Sequence, residues 1–551
     1  MRKSFGNLAL ATLCGVVTAP ASLQAQGHPG LPPQAQAQVS LPDRFDTTST
    51  PLRHLVDREL PPVARGGRDF EPGRPEPVGN TNPPVVDPLA GASLGYSSAA
   101  VTPKAFTEGT AVDPTYRVAP PDTTGDLGPN HYVQWVNLRY AIYDVTRGNG
   151  EITGFSLVSG FPKNGNTVWQ GFGGPCEAYN DGDPIVQYDQ LAGRWILTQF
   201  AVSATPYTQC VAVSTSPDPT GTYHRYSYSY GTDFNDYPKM GVWPSGYYIT
   251  YNMFRRGRTF SGSRVCALER DKMLLGQQAR QVCAQTSNSY GSLLPADLEG
   301  TALPPAGSPN YLLSISSSAL QFWKFSVSWG SKATGTLTGP TTVPGVAAFS
   351  RACSGGTCIP QAGTTRTLDS LADRLMYRLS YRNLSGSAAG GAREALLVNH
   401  SVASSGVSGI RWYELNNAAG QTLATAAPVV RQQGTYQPDS LYRWMGSAAM
   451  DKTGGIAVGY NVSSSAIYPG IRYAFRGPDD SPLGAIGNEQ SILVGPGSQT
   501  GTLSRWGDYS TISVDPSDDC TMVFTSEYLP ANGSFNWATA IDSFKLSTCT
   551  P

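Results

Sequence analysis

An aspartate recurs at one place in a repeated segment of this sequence, an apolar run followed by a tight polar turn and a second apolar run. If the copies pack around a common axis, their carboxylates converge at one mouth. Glycoside hydrolysis needs two carboxyl groups roughly 5 to 10 Å apart with separated pKa values. The candidate catalytic residues are therefore Asp122, Asp183, Asp236, Asp297 and Asp508, with Trp444 at the same place in another copy.

A repeated carboxylate can also serve a protein without taking part in catalysis. Carboxylate oxygens bind calcium, although no twelve-residue EF-hand loop occurs here. Alternatively, each aspartate accepts backbone N–H bonds where a strand begins. Repetition favours this structural role, because a catalytic residue is needed once and a structural residue in every copy. The sequence leaves a functional subset open and requires no cofactor, with calcium as the one metal to consider.

Some polar residues near these aspartates do not recur in every copy. Glu299 lies two residues after Asp297, on the same face of a strand, which makes it a further candidate acid. An arginine beside a tryptophan can hold a carboxylate-bearing sugar and stack on its ring. The alternative is an ion pair between the arginines and the aspartates. The candidate substrate-binding residues are Arg443, Trp444, Arg505 and Trp506, which precede the last two copies in the same phase.

The repeat also predicts the fold. From about residue 116, runs of Val, Ile, Tyr, Phe and Trp alternate with Gly, Pro, Asn and Asp, which is typical of strands and turns. Copies begin 53 to about 78 residues apart, enough for four antiparallel strands. We expect an all-β protein with a β-propeller over residues 116–551, most simply of seven four-stranded blades, with six or eight as alternatives. A parallel β-helix is disfavoured because its repeats are shorter and more regular.

The amino terminus predicts export. Residues 1–25 combine Arg2 and Lys3, an apolar stretch from about Leu8 to Val17 and small residues up to Ala25, as in a secretory signal peptide. No later stretch provides the roughly 20 apolar residues that a membrane helix needs. Residues 26–115 are rich in Pro, Gln, Ala and Gly and predict a low-complexity leader or wrapping arm. We expect a secreted protein, extracellular or periplasmic.

Eight cysteines remain once Cys14 leaves with the signal peptide. An even number in an oxidising compartment predicts disulfides, and no paired C-x-x-C modules indicate zinc. Eight cysteines allow many pairings, of which pairing between sequence neighbours is the simplest. It joins Cys176 to Cys210, Cys266 to Cys283, Cys353 to Cys358 and Cys520 to Cys549.

Charge and composition exclude several classes of protein. The 551 residues include 39 Lys+Arg and 40 Asp+Glu, which leaves no basic footprint for nucleic acid or an anionic membrane. With 40% hydrophobic and 10% aromatic residues, the chain is not disordered. We expect a monomer whose partner is an extracellular polysaccharide or a cell-surface glycan.

Several segments resemble those of a group of secreted bacterial β-propeller proteins that mostly have no assigned activity. They are PPDTTGDLGPNHYVQWVN, GDPIVQYDQLAGRWILTQF, STSPDPTGTYHRYSY and DYPKMGVWPSGYYITYNMF, within residues 116 to 549. STSPDPTGTY more distantly resembles the blades of family 43 glycosidases, and the overall repeat resembles the sialidase superfamily. The sialidase Asp-box, S-x-D-x-G-x-x-W, is not reproduced. The resemblance implies a propeller fold far more strongly than an activity.

Two hypotheses about function follow. In the first, the protein is a secreted carbohydrate-active enzyme that hydrolyses or eliminatively cleaves a polysaccharide at the channel mouth. In the second, it is a non-catalytic propeller that binds glycan or protein at the cell surface or in the medium. The choice of glycan rests on analogy of fold.

Overall fold

The regular secondary structure of the chain is almost all β-strand, as predicted. The structure, a computed structural model, describes residues 37–57, 68–69, 85–91, 94–95, 97–113, 115, 117–316, 318–384, 386 and 388–550. The predicted signal peptide and parts of the predicted leader lie outside these residues. Helical turns are short in the described part: Leu52–His54, Gly165–Trp169, Pro175–Ala178, Arg270–Met273 and Ala352–Gly355. Within that part, every helix is too short and too polar to cross a membrane.

The described strands form seven antiparallel sheets of four main strands each, numbered here in chain order. Sheet 1 contains Thr124–Leu127, His131–Val136, Arg139–Gly148 and Glu151–Leu157. Sheet 2 contains Ile185–Asp189, Arg194–Ala201, Tyr207–Ser214 and Tyr223–Gly231. Sheet 3 contains Phe234–Trp243, Gly246–Arg255, Thr259–Leu268 and Gln281–Gln285. Sheet 4 contains Leu294–Leu298, Asn310–Ile315, Leu320–Ser328 and Thr334–Thr342.

The remaining sheets have the same plan, except that the last takes one strand from the amino-terminal region. Sheet 5 contains Met376–Leu384, Arg393–Ser404, Val407–Asn416 and Val429–Tyr436. Sheet 6 contains Tyr442–Met450, Ile456–Ser464, Ile467–Arg476 and Gly487–Leu493. Sheet 7 contains Thr511–Val514, Thr521–Tyr528, Ala538–Leu546 and Val101–Glu108. A parallel pairing between the first strands of sheets 4 and 5 joins those two sheets.

The first strands of the sheets form a closed circle. Each contacts the first strand of the next sheet, and the first strand of sheet 7 contacts that of sheet 1. Within sheet 7, Val101–Glu108, which lies in the predicted leader, pairs with Ala538–Leu546, so a segment that precedes the repeats completes the last sheet. Sheets arranged around an axis with their first strands innermost are the architecture of a β-propeller.

Short strands near the amino terminus extend the outer edges of two sheets. Gln38–Ser40 pairs with Gln281–Gln285 of sheet 3, and Arg44–Thr47 pairs with Tyr223–Gly231 of sheet 2. Added strands of this kind satisfy the N–H and C=O groups that an edge would otherwise leave unpaired. Three two-residue pairings also occur: Lys163–Asn164 with sheet 1, Arg68–Asp69 with Val118–Ala119, and Leu368–Asp369 with Thr357–Ile359.

Large aromatic side chains fill the spaces between neighbouring sheets. Trp243 of sheet 3 lies 5.5 Å from Tyr311 of sheet 4 and 4.7 Å from Tyr381 of sheet 5, measured between ring centroids. All three side chains are fully or almost fully buried. Such edge-to-face pairs add to the free energy gained by burying each ring, and they hold adjacent sheets at a fixed angle.

The four disulfides of the structure join the predicted pairs. Cys266 and Cys283 are direct partners on neighbouring strands of sheet 3. Cys176–Cys210 ties a helical turn to sheet 2, and Cys520–Cys549 ties the carboxyl terminus to a turn of sheet 7. Local pairing succeeds because strands adjacent in sequence are also adjacent in each sheet.

Removing a disulfide should destabilise the protein according to the length of chain that it closes. Cys176 and Cys210 are 34 residues apart, whereas Cys353 and Cys358 are 5 apart. Loop-closure entropy predicts losses of about 4 kcal/mol for Cys176→Ala/Cys210→Ala and about 2 kcal/mol for Cys353→Ala/Cys358→Ala. Urea unfolding measures both variants, each serving as the control for the other. Equal losses would contradict the prediction.

Candidate functional site

The repeated aspartate has a structural cause in three of the sheets. Asp122, Asp183 and Asp508 have left-handed backbone conformations, with φ of 50°, 43° and 58°, shortly before the first strands of sheets 1, 2 and 7. Aspartate tolerates this conformation better than most residues, because its short polar side chain can bond to nearby backbone. The same left-handed turn places the three carboxylates at the same end of their strands.

The predicted alignment needs correction in the other sheets. The left-handed residue is Tyr237 in sheet 3 and Met445 in sheet 6, one residue after Asp236 and Trp444 respectively. In sheet 4 it is Ser292, five residues before Asp297. At about 3.3 Å per strand residue, this displacement of five residues places Asp297 about 17 Å further along its strand than predicted.

Four of the predicted aspartates come together around one lysine. Asp122, Asp183 and Asp508 interact electrostatically with Lys239 of sheet 3. Asp236 interacts with Asp183 and belongs to the same group. We call Asp122, Asp183, Asp236, Asp508 and Lys239 the mouth cluster. Its members come from the beginnings of the first strands of sheets 1, 2, 3 and 7, so the circle of sheets assembles it.

Lys239 is fully buried between two tyrosines. Its Nζ lies 3.5 Å from the ring centroid of Tyr237 and 3.7 Å from that of Tyr509, and it donates a 2.8 Å hydrogen bond to the carbonyl oxygen of Pro238. Burial lowers the pKa of Lys239 to about 7, although the three carboxylates favour its charged form. The ammonium is therefore poised to exchange a proton near neutral pH.

The aspartates of the mouth cluster differ in their hydrogen-bond donors and in their exposure. Asp122 accepts a 2.6 Å hydrogen bond from Asn137 Nδ2, and Asp508 accepts a 3.0 Å bond from Arg505 Nε. Both carboxylates are nearly buried, whereas Asp183 and Asp236 are partly exposed. Asp183 and Asp236 are thus the members best placed to meet a ligand.

Burial raises the pKa of the cluster's carboxyl groups. The pKa of Asp183 rises to about 6, with Lys239 opposing the rise and Asp508 adding to it. The pKa values of Asp122 and Asp236 are also raised, first by burial and then by the charge of Asp183. Mutually repelling carboxylates do not all ionise together, so the group retains a proton at mildly acidic pH.

Sequence reasoning missed several groups at the mouth. Tyr237 is flanked by Lys239 and by the guanidinium of Arg374, which lies 4.5 Å from its ring centroid. Arg374 also forms an ion pair of 2.9 Å with Asp373. The signal for Lys239 was present in the sequence, as the one charged residue inside the run YPKMGVW. Arg374 gave no such signal, because it lies in LDSLADRLMYRLSYRN, the copy that fits the repeat least well.

Asp297 and Glu299 lie in a second, deeper cluster. Arg378 Nη1 is 2.7 Å from Asp297 Oδ2 and 3.2 Å from Glu299 Oε1, and its Nη2 is 3.3 Å from Asp126 Oδ2. All four side chains are buried, and we call them the Arg378 cluster. The two predicted carboxylates do share a strand face, but they are bound to Arg378 instead of lining the mouth.

Burial raises pKa values in the Arg378 cluster as well. The pKa of Glu299 rises to about 8 and that of Asp297 to about 6, although Arg378 opposes both rises. Asp297 Oδ1 also accepts a 2.8 Å hydrogen bond from the backbone N–H of Val242 in sheet 3. This cluster joins sheets 1, 3, 4 and 5, which is a structural role.

The predicted substrate-binding residues are buried. Arg443 lies between Asp439 and Glu489, at 2.7 and 2.8 Å, and has no exposed surface. Trp444 and Trp506 are also fully buried, with ring centroids 5.9 Å apart. Arg505 forms an ion pair with Asp508. Side chains that are buried in this way cannot contact a sugar at the surface. For Arg505, the contact with Asp508 is the ion pair that the sequence offered as the alternative.

The described residues contain no candidate site for the calcium ion that the sequence left open. No group of three or more His, Cys, Asp or Glu residues there has an arrangement that could hold a metal ion. The positive charge that faces the mouth carboxylates comes from Lys239 and from arginines of the chain itself.

No protein-family model matches this sequence, and no curated protein is similar to it in sequence. Among solved structures, it is similar to the Penicillium chrysogenum α-L-arabinanase complexed with arabinobiose, at 11% identity and a TM-score of 0.36, over 81% of this chain and 100% of that one. An endo-arabinase from Bacteroides thetaiotaomicron matches at 14% identity and a TM-score of 0.24, over 52% of this chain and 92% of that one. An ulvan lyase matches at 10% identity and a TM-score of 0.25, over 73% and 76%. At such low scores these structures assign no activity to this chain.

Replacing Lys239 should change the titration of its neighbours. In Lys239→Met, the pKa of Asp183 should rise above about 6, because the variant removes the cation that favours the charged carboxylate. A rise of about one unit is expected, because Lys239, with a pKa of about 7, is mostly protonated where Asp183 titrates, while Arg505 remains to favour the charged carboxylate. Carbon-13 NMR of labelled aspartate measures this shift. Lys332→Met, at an exposed position, is the control and should leave Asp183 unchanged.

The Arg378 cluster should make stability depend on pH. Because the pKa of Glu299 is about 8 in the folded protein against an ordinary 4.5, the folded state retains a proton between these values that the unfolded state has released. The free energy of unfolding should therefore fall as pH rises from 5 to 8. Glu299→Gln should reduce that fall by about 2 kcal/mol, less than the full shift implies, because Arg378 shares its charge with other carboxylates.

Chemical denaturation at pH 5 and pH 8 measures this dependence. Glu151→Gln, which removes a surface carboxylate paired with Lys104, is the matched control. An unchanged pH dependence in Glu299→Gln, or an equal change in the control, would contradict the assignment.

Proposed function

We propose that this protein is a secreted carbohydrate-active enzyme that hydrolyses an extracellular polysaccharide at the mouth cluster, and that its seven sheets are the seven blades of a propeller. One observation carries the proposal. Asp183 and Asp236 are partly exposed, interact electrostatically and have pKa values raised by burial. A pair of coupled, partly exposed carboxyl groups with raised pKa values suits acid and base catalysis.

The electrostatics of the pair support this chemistry. Because ionisation of one carboxyl group disfavours ionisation of the other, the two share a proton over a range of pH. One can then protonate the oxygen of a leaving sugar while the other acts as a base or stabilises positive charge. Asp122, Asp508 and Lys239 lie behind the pair and set its charge. Access to the lysine itself is blocked by the two tyrosine rings.

Hydrolysis is better supported than elimination. A polysaccharide lyase needs a base and a cation that neutralises a uronate carboxylate. Burial raises the pKa values of Tyr237 and Tyr509, which disfavours a tyrosinate base. Arg374 and Arg505 already form ion pairs with Asp373 and Asp508. Lys239, with a pKa of about 7, keeps elimination as the second reaction to test.

A non-catalytic glycan-binding propeller is the alternative function. It is favoured by the contacts that hold Asp122 and Asp508 to Asn137 and Arg505, which are typical of structural carboxylates. Export is common to both functions. Four disulfides support it, since such bonds persist in oxidising compartments.

The wild-type protein should release new reducing ends from at least one member of a panel of plant, algal and bacterial polysaccharides. Absorbance of unsaturated uronides in the same reactions distinguishes elimination from hydrolysis. Asp183→Asn and Asp236→Asn should each lower the rate about 100-fold or more, because each removes a group that transfers a proton or carries charge. Parallel reactions with calcium or with a chelator test the metal requirement.

Glu299→Gln is the matched control, because it neutralises a buried carboxylate of the Arg378 cluster. It should retain activity at pH 6. Wild-type rates in both aspartate variants, or loss of activity in all three together with lowered thermal stability, would contradict the assignment. Glycan binding without turnover would favour the alternative function.

A further inference from the structure

Three exposed arginines lie together at the tip of a hairpin in sheet 3. The sequence Arg255-Arg256-Gly257-Arg258 connects Gly246–Arg255 to Thr259–Leu268. In the part of the chain that the structure describes, no carboxylate forms an ion pair with any of these arginines. One carboxylate does lie at this turn, because Asp233 Oδ1 accepts a 3.1 Å hydrogen bond from the backbone N–H of Arg256. Three arginines against one aspartate still leave the turn positively charged, in a chain whose net charge is −1.

The hairpin lies at the same end of sheet 3 as the mouth cluster. Asp236 pairs with Asn252 across the sheet, and Arg255 follows Asn252 by three residues on the same strand. Three strand residues span about 10 Å. The arginines therefore extend beyond the carboxylates on the same face of the circle of sheets.

The turn is firmly held. Arg256 and Gly257 have left-handed φ values of 52° and 69°, and Gly257 N and Arg258 N donate backbone hydrogen bonds of 3.0 and 3.2 Å within the turn. A Cβ at Gly257 would lie 2.7 Å from the hydroxyl oxygen of Tyr207 in sheet 2. The tip packs on the neighbouring sheet, so it presents its arginines from a fixed backbone.

Aromatic side chains flank the arginines. Tyr207 lies 5.5 Å from Phe234, and Phe260 lies 5.7 Å from Phe254, measured between ring centroids. Tyr207 and Phe260 are partly exposed, whereas Phe234 and Phe254 anchor them in the core. Arginine forks match carboxylate and sulfate oxygens, and partly exposed aromatic rings offer apolar surface to sugars.

We propose that the hairpin Arg255–Arg258 binds acidic groups, carboxylate or sulfate, on a polysaccharide whose chain extends to the mouth cluster. The inference rests on the proposed function and names its substrate class. The mouth cluster is rich in carboxylates and repels an acidic sugar, so a neutral sugar occupies the mouth and an acidic one the hairpin. The substrate is then a polysaccharide with acidic units or substituents among neutral ones.

Binding measurements on the full protein test this proposal. The probes are dextran sulfate for sulfate, polygalacturonate for carboxylate, and neutral dextran as the uncharged reference. The double variant Arg255→Gln/Arg258→Gln should bind its preferred acidic probe, dextran sulfate or polygalacturonate, about tenfold more weakly than the wild type does at low salt. This is the loss expected for two exposed charge contacts. Lys272→Gln/Lys332→Gln removes two exposed positive charges elsewhere and should bind like the wild type.

Protection of Arg255 and Arg258 from phenylglyoxal by the acidic probe, measured by mass spectrometry on the wild type, gives a second test that needs no variant. Unchanged affinity in the arginine variant, an equal loss in the lysine control or absence of protection would overturn the proposal. Duplex DNA bound as tightly as both acidic polysaccharides would also overturn it, by showing unselective binding of anions.

The outcomes distinguish this inference from the proposed function. Binding that depends on the hairpin, without cleavage of any glycan, would refute the proposed hydrolysis alone. Cleavage that is unaffected by the arginine variant would refute this inference alone.

Discussion

The site depends on one buried charge, the ammonium of Lys239. A charge removed from water must be met by opposite charge and by polarisable groups, or the folded state loses stability. Here the compensation comes from Asp122, Asp183 and Asp508, on sheets 1, 2 and 7, and from the rings of Tyr237 and Tyr509. No single sheet supplies these groups. The cluster forms only when the circle is closed, and the pairing of Val101–Glu108 with Ala538–Leu546 completes the last sheet of that circle.

A second group of charged residues, the Arg378 cluster, has a structural role that differs from the role proposed for the mouth cluster. The Arg378 cluster joins four sheets below the mouth, and Tyr377 lies between the two clusters. Its hydroxyl donates to the carbonyl oxygen of Met240 at 3.1 Å and accepts a bond of 3.0 Å from Gln187 Nε2. Groups below Tyr377 are buried and bonded to one another, while Asp183 and Asp236 above it retain exposed surface. The hairpin arginines on the same face then give the mouth a complementary charge at its edge.

Much of the fold could be predicted from local sequence. The separation of the predicted carboxylates into the mouth cluster and the Arg378 cluster could not. Alternating apolar and turn residues predicted the sheets, and pairing between cysteines that are neighbours in the sequence predicted the four disulfides. Four of the repeated aspartates, Asp122, Asp183, Asp236 and Asp508, lie together at one end of the first strands, and their catalytic role stays a prediction. The predicted alignment failed for Asp297, because the left-handed residue of sheet 4 is Ser292, which is not an aspartate and leaves no signal at that place. Arg443 and Trp444 were misassigned because their burial depends on Glu489 and Trp506, distant partners that only the tertiary structure reveals.

Carboxyl footprinting of the wild type tests most directly whether the mouth cluster meets a glycan. Carbodiimide-activated labelling with an amine, followed by mass spectrometry, reports the reactivity of each exposed carboxyl group with and without a mixture of cell-wall oligosaccharides. Asp144, largely exposed on sheet 1, is the internal reference. If the mouth cluster binds the glycan, oligosaccharide should lower the labelling of Asp183 and Asp236 several-fold and leave the labelling of Asp144 unchanged. Equal labelling of Asp183 and Asp236 in both conditions, while the protein demonstrably binds the oligosaccharide, would contradict it.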